Sequence, residues 1–198
     1  MSLTRFRVPL ALAALVPLMA ASTRAPLDLQ PESRLTIYGT STVRAFQCQA
    51  SSFDAKIESI GNAAVEAVLG GQKAVTNVVV TVPVEKLDCR NGTMNEHMRK
   101  ALKANDHKTI QYRIATWELT PAGDDSAAVK TSGTLVMAGA EKPISVDLTA
   151  KRGAAGSWSL RGSKTIQMTE WGIKPPSLMF GTMKVRDPVT IRFELILH

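Results

Sequence analysis

The sequence VTIRFELIL occupies residues 189–197 and carries an apolar side chain at every odd-numbered position. Thr190, Arg192 and Glu194 lie between these apolar positions. Alternation with a period of two is typical of a β-strand that buries one face. The stretch therefore predicts a strand with one face toward an apolar interior.

The same period recurs along most of the chain. After Ala115 the apolar phase moves to Trp117 and Leu119, which predicts a β-bulge. Because strands follow strands at short spacing, we predict an all-β, antiparallel sandwich or barrel. The shorter alternating runs are 34–37, 77–83, 110–114, 117–119, 133–137, 144–148 and 158–160.

Turn residues separate these runs. We expect loops at 121–125, 139–143 and 153–156, each of which contains glycine. Asp187-Pro188 is expected to open the last strand, where a missing N–H donor is tolerated.

One short amphipathic helix is predicted near residues 93–105. Thr93 and Glu96 have the spacing of a capping box, and Asn105 is a candidate left-handed stop. The apolar side chains at helical spacing are Met94, Met98, Ala101 and Leu102. Residues 62–71 fit either a second short helix or an irregular loop.

The N-terminus has the features of a secretory signal peptide. Arg5 and Arg7 precede an apolar run at 8–19, and small residues follow it. A membrane anchor is the alternative, but the run is shorter than the ~20 residues that a spanning helix needs. We therefore divide the chain into a signal peptide, 1–25, and one domain, 26–198, located in the periplasm or secreted.

The charge does not favour a nucleic-acid partner. The chain has 24 Lys and Arg against 17 Asp and Glu. Removal of residues 1–25 takes away three of the basic residues and leaves a net charge of +4. These charges are scattered, without a dense basic run beside aromatic residues. Transient attraction to an anionic membrane surface remains an option.

Cys48 and Cys89 are the two cysteines of the chain. In an oxidising compartment two such residues are expected to form a structural disulfide. A redox pair is the alternative, but redox motifs usually place two residues between their cysteines. We predict a Cys48–Cys89 bridge.

The sequence shows no catalytic or metal-binding pattern. His97, His107 and His198 lack the spacing of a zinc pair, and His97 is expected on the polar, solvated side of the helix. Asp124 and Asp125 are explained by turn formation. We therefore predict a protein that is not an enzyme and needs no cofactor.

Methionines are frequent in the mature chain, at positions 94, 98, 137, 168, 179 and 183. Methionine is flexible and polarizable, so it suits a surface that adapts to a pliable ligand. Gap filling in an ordinary core explains the methionines equally well. If there is a cavity, Met94, Met98 and Leu102 are candidates for a helical lid.

Four segments, in order, resemble the YceI-like family of exported bacterial proteins. Arg44 departs from this family, which often has a histidine nearby, and Glu141 stands where threonine is common. The segments are 39–46 (GTSTVRAF), 94–102 (MNEHMRKAL) with 109–112 (TIQY), 133–139 (GTLVMAG) with Lys142, Pro143 and Asp147, and 171–176 (WGIKPP) with Gly181, Val185, Asp187 and Val189.

The resemblance implies a lipocalin-like antiparallel barrel of about eight strands, which has room for one ligand. It also implies a long isoprenoid ligand, a quinone or polyprenyl type, held for carriage or sequestration. The oligomeric state stays open, with a homodimer as one candidate. The predicted lining residues are Ile37, Val80, Met98, Leu102, Tyr112, Ile114, Met137, Met168, Trp171, Phe180, Met183, Ile191 and Phe193, with Trp171, Pro175 and Pro176 shaping one rim.

Two alternatives share this fold. One is a structural or stress-related interaction module whose barrel is filled by its own side chains. The other is a partner in quinone redox chemistry, for which the chain shows no obvious donor group. A continuous tunnel would favour lipid binding, whereas interlocked large side chains would favour the structural module.

Overall fold

The computed structural model describes residues 28–59, 75–178 and 182–198. Most of these residues belong to one antiparallel sheet, and one α-helix accompanies it. The strands are β1 (Arg34–Ser41), β2 (Ala45–Ala50), β3 (Asp54–Ser59), β4 (Val75–Pro83), β5 (Leu87–Asp88), β6 (Thr109–Pro121), β7 (Ser126–Met137), β8 (Ala140–Arg152), β9 (Trp158–Gln167), β10 (Ser177–Leu178) and β11 (Met183–Leu197), and the helix is α1 (Gly92–Ala101).

The sheet runs in the order β3-β4-β6-β7-β8-β9-β11-β1-β2-β5, and β10 pairs with the start of β11. It curls around an apolar interior, so the prediction of an antiparallel, barrel-like all-β fold with one helix is confirmed. The strands outnumber the eight expected, because short β5 and β10 add to the long ones.

The C-terminal strand β11 lies inside the sheet, between β9 and β1. β11 pairs with β9 over ten consecutive positions, from Pro188 opposite Gln167 to Leu197 opposite Trp158. Its other edge pairs with β1, where Ile191 lies opposite Ile37. The strand predicted for residues 189–197 is therefore present, and it pairs with a neighbouring strand along both edges.

The predicted bulge in β6 is present. The register between β6 and β7 shifts between Ile114 and Thr116, which is where the apolar phase changes in the sequence. An extra residue on one strand turns every later side chain to the other face.

The loop predicted at 139–143 is longer than the connection in the structure, so the predicted bounds are wrong. Only Ala138 and Gly139 connect β7 to β8, with φ angles of 51° and 86°. Two consecutive positive φ angles make the tight turn that suits a twisted hairpin. Pro143 instead lies within β8, in a part of that strand that pairs with β7 alone.

Asp187-Pro188 does not open the last strand, because β11 begins at Met183. Between Gly39 opposite Val189 and Ser41 opposite Val185, β11 has two more residues than β1. Pro188 falls in this irregularity, where its missing N–H is not needed for a regular ladder.

The helix boundaries also differ from the prediction. Asn91, and not Thr93, is the N-cap, and its side-chain oxygen accepts a hydrogen bond from the Met94 N–H at 3.0 Å. Lys103, and not Asn105, has the positive φ of 53° after the helix. Residues 62–71 lie outside the described part of the chain.

A disulfide joins Cys48 in β2 to Cys89, which follows β5. The predicted pairing is confirmed. The bridge closes a loop with a sequence separation of 41 and attaches the segment that begins α1 to the edge of the sheet.

We expect replacement of both cysteines by serine to destabilise the fold by about 4 kcal/mol, because the unfolded chain regains the entropy of the open loop. The midpoint of thermal unfolding should fall by roughly 10 °C. Reducing agent should lower the midpoint of the wild type and leave the double variant unchanged. Free-thiol labelling of the folded, unreduced wild type would contradict the bridge.

Candidate ligand-binding cavity

The inner face of the curled sheet and one face of α1 enclose a cavity of about 570 Å³. This volume lies within the ~300–1,000 Å³ that is usual for small-molecule sites. Its wall is mostly aliphatic and methionine side chains. The predicted lining residues that the structure places on this wall are Ile37, Val80, Met98, Leu102, Tyr112, Ile114, Met137, Met168, Met183, Ile191 and Phe193.

One predicted lining residue, Trp171, is not on this wall. Trp171 is 1% exposed and packs in the core beside the cavity, where its indole N–H donates to the Leu135 carbonyl at 3.1 Å. It ends the short 3-10 helix Met168–Trp171, which follows β9 and lies against β8, β9 and β11. Phe180 lies outside the described residues.

The far end of the cavity is closed by packed side chains. Trp158 and Leu197 lie opposite each other at the end of the β9–β11 ladder and are 3% exposed. Ile57 and Ala150 complete this buried cluster. Met183 lies at the opposite end of β11 from Leu197, and the cavity opens on that side.

The helix covers part of the opening. Met94, Met98 and Leu102 line the cavity, as a lid requires. His97 also lines it and is half-buried, so its predicted place on a solvated face is wrong. The helix begins at Gly92, and Thr93 and Met94 of its first turn line the cavity.

The disulfide takes part in the same wall. Cys48 and Cys89 both line the cavity, and the Cys89 Sγ lies 3.8 Å from the Met98 Sδ. The Cys89 N–H donates to the Asn95 side chain at 2.8 Å. These contacts hold the first turns of α1 against β2 and β5.

An exposed carboxylate supports the start of the helix. Asp88 accepts hydrogen bonds from the Asn95 side-chain amide at 2.8 Å and the Arg90 N–H at 2.9 Å. These bonds, with a smaller effect of the nearby arginine charges, lower the pKa of the Asp88 carboxyl. The carboxylate is therefore charged at neutral pH and accepts these two hydrogen bonds beside the start of α1.

One polar pair lies within the apolar wall. Thr131 is 4% exposed and donates to the Val146 carbonyl at 3.1 Å. The Tyr112 hydroxyl lies 3.0 Å from the Thr131 Oγ1. Since threonine has one hydroxyl proton, Tyr112 is the donor in this arrangement. Burial raises the pKa of the Tyr112 phenol, against the opposing effect of its bond with Thr131.

The remaining polar lining residues form two groups. Ser41, Arg44, Asn91 and Thr93 lie with His97 around the opening, on the β1–β2 turn and the start of α1. Lys164 lines the wall in the middle of β9. Sequence reasoning missed Lys164, although its place two residues before Ile166 in an alternating strand could have marked it as inward-facing.

Within the described residues, no group of three or more His, Cys, Asp or Glu side chains could hold a metal ion. No helix in this part of the chain has the length and apolar character needed to cross a bilayer.

The sequence profile of the YceI-like domain matches residues 30–197. The chain belongs to the YceI-like family. The match covers every described strand of the sheet and α1, so the resemblance seen in the four sequence segments is confirmed. Comparison with curated proteins gives no match.

Solved structures share this fold at low sequence identity. Burkholderia cenocepacia BcnA is 17% identical, with a TM-score of 0.66 over 85% of this chain and 99% of that chain. A polyisoprenoid-binding domain from Saccharophagus degradans, implicated in plant cell wall breakdown, is 13% identical, with a TM-score of 0.66 over 87% and 97%. The Campylobacter jejuni YceI protein is 15% identical, with a TM-score of 0.56 over 76% and 84%.

We expect Trp171→Phe to lower stability and leave ligand binding unchanged, because Trp171 supports the wall from behind. Loss of the hydrogen bond to Leu135 should cost about 1 kcal/mol. Thermal unfolding and lipid content of the purified protein measure the two effects. Trp117→Phe, elsewhere on the sheet, is the matched control. A fall in lipid content at unchanged stability would show that Trp171 contacts the ligand.

Proposed function

We propose that the protein is an exported lipid-binding protein that holds a long isoprenoid chain in its cavity, for carriage or sequestration in the bacterial envelope. The observation that carries the proposal is the open apolar cavity of about 570 Å³. The shared fold with the polyisoprenoid-binding domain of Saccharophagus degradans supports the ligand class.

The cavity wall suits a hydrocarbon chain. Burial of apolar carbon gains about 0.8 kcal/mol per methylene, or about 4 kcal/mol per five-carbon unit before ordering costs. Met94, Met98 and Met183 near the opening can adapt to the branched chain, because methionine has several rotatable bonds. Chain length would then be selected by the length of the cavity.

The same observation disfavours the structural-module alternative. A barrel filled by its own side chains leaves no volume for a ligand, whereas the inner side chains of β1, β6 and β11 line a cavity of about 570 Å³. Quinones and polyprenyl compounds both fit an apolar wall of this kind. We propose a role in binding, without a chemical step on the lipid.

We expect the protein purified from the periplasmic fraction of its native host to contain an isoprenoid lipid. Organic extraction followed by mass spectrometry identifies the lipid and its ratio to protein. Recovery in that fraction also tests export. Repeated extraction of no lipid, together with a crystal structure that shows an interlocked interior, would overturn the proposal.

We expect Met98→Asp to reduce lipid content at least tenfold, because a carboxylate on the cavity wall must be desolvated beside the hydrocarbon. Its effect on unfolding should be smaller, since α1 lies outside the sheet ladder. Lys100→Asp, on the exposed side of the same helix, introduces a carboxylate away from the cavity wall and is the control for helix propensity. If Met98→Asp unfolds the protein, Met98 is core and the lid hypothesis is wrong.

A further inference from the structure

Lys164 has an unusual position for a lysine. It lies near the middle of β9, where Arg161, Ser163 and Thr165 form the exposed face. Lys164 is on the opposite face, in phase with Ile166, and it lines the cavity. Its side chain is half-buried. The alternation of β9 therefore directs an amine toward an interior that is otherwise mostly aliphatic.

The register of the sheet places this lysine deep in the wall. Lys164 lies opposite Ile191 on β11, and Ile191 lies opposite Ile37 on β1. Met183 and Val185, at the opening, are several residues away along β11. Lys164 is therefore distinct from the polar residues that surround the opening.

The Tyr112–Thr131 pair lies on neighbouring strands of the same wall. β8 pairs with β9 up to Leu148 opposite Gly162. Val146 and Lys164 each lie two residues beyond this last pair. Since the Val146 carbonyl accepts from Thr131, the polar pair and the lysine lie on the two sides of β8. Both belong to the lining of the same cavity.

Phe193 limits the space on one side of Lys164. A Cβ on Gly162 would lie 2.5 Å from the Phe193 ring, so glycine is needed for the ring to pack over β9. Gly162 is the next position of the inner face toward the packed end. The ring therefore narrows the wall between Lys164 and that end, and Leu160 and Leu195 beyond it still line the cavity.

Within residues 28–59, 75–178 and 182–198, the side-chain amine of Lys164 forms no ion pair and donates no hydrogen bond to a protein atom. Removal of an ammonium group from water costs free energy unless an opposite charge compensates it. An anion of the ligand would supply that charge. Lysine binds phosphate and carboxylate as a compact point charge with three donors.

We propose that Lys164 binds the anionic head group of a single-chain amphiphile inside the barrel, a phosphate monoester or a carboxylate. This inference rests on the proposed lipid-binding function. The head group lies at the level of Lys164 and Tyr112, and the apolar tail runs toward Met168, Met183 and the helix. The ligand therefore enters head first, and its polar end does not emerge at the opening.

The test uses three probes with the same fifteen-carbon chain: farnesyl monophosphate, farnesoic acid and farnesol. Binding to delipidated protein is measured by titration calorimetry for the wild type, Lys164→Met and Lys164→Arg. Lys151→Met, which removes an exposed lysine of β8, is the matched control for net charge. Thermal unfolding of each variant establishes that it is folded.

We expect the wild type to bind at least one anionic probe about tenfold more tightly than farnesol, as a charged hydrogen bond of moderate strength allows. Lys164→Met should abolish this preference and retain the affinity for farnesol. Lys164→Arg should retain part of the preference, and Lys151→Met all of it. The stronger of the two anionic probes identifies phosphate or carboxylate as the head group.

Equal affinities for all three probes, or an anionic preference that survives Lys164→Met, would overturn the inference and leave lipid binding standing. In that case the lysine extends its amine to solvent and only its stem lines the wall. If no probe binds to any variant, the proposed function fails, and the inference fails with it.

Discussion

The antiparallel ladder that runs from β6 through β11 to β2 is the constraint on which the rest of the structure depends. Each inter-strand pair fixes which side chains face inward, because successive residues of a strand point to opposite faces. In the β9–β11–β1 part of the ladder, this rule aligns Lys164, Ile191 and Ile37 across three strands. The curl of the sheet then turns this inner face into a wall around a space.

The cavity remains open because its two ends differ in structure. At one end, Trp158 and Leu197 meet within a buried cluster and leave no volume. At the other end, α1 covers the interior with flexible methionines, and a disulfide fixes the start of that helix to the sheet edge. The helix α1 is thus attached covalently at one point, and most of its contacts with the cavity are made by flexible apolar side chains. Such an arrangement suits a ligand with a long, pliable tail.

Polar groups give the cavity a direction. A wall of aliphatic side chains alone would bind a hydrocarbon in either orientation, because burial of apolar area has no directional preference. Tyr112, Thr131 and Lys164 lie on the cavity wall away from the opening, and Arg44 and His97 lie at the opening. Arg44 gives the opening a positive charge.

The sequence by itself determined the strands, the bulge after Ile114, the disulfide and most of the wall, because period-two alternation and cysteine chemistry are local or pairwise properties. It misplaced Trp171, because a residue outside a regular strand has no period of two to assign its direction. It also misplaced His97 and the boundaries of α1, because only the packing of the helix on the sheet shows that the face carrying Met94, His97 and Ala101 is covered. Only the tertiary structure decided that the inner side chains surround a volume. Whether facing side chains meet depends on the curl of the whole sheet and on the closure of its ends, and neither is encoded in any single strand.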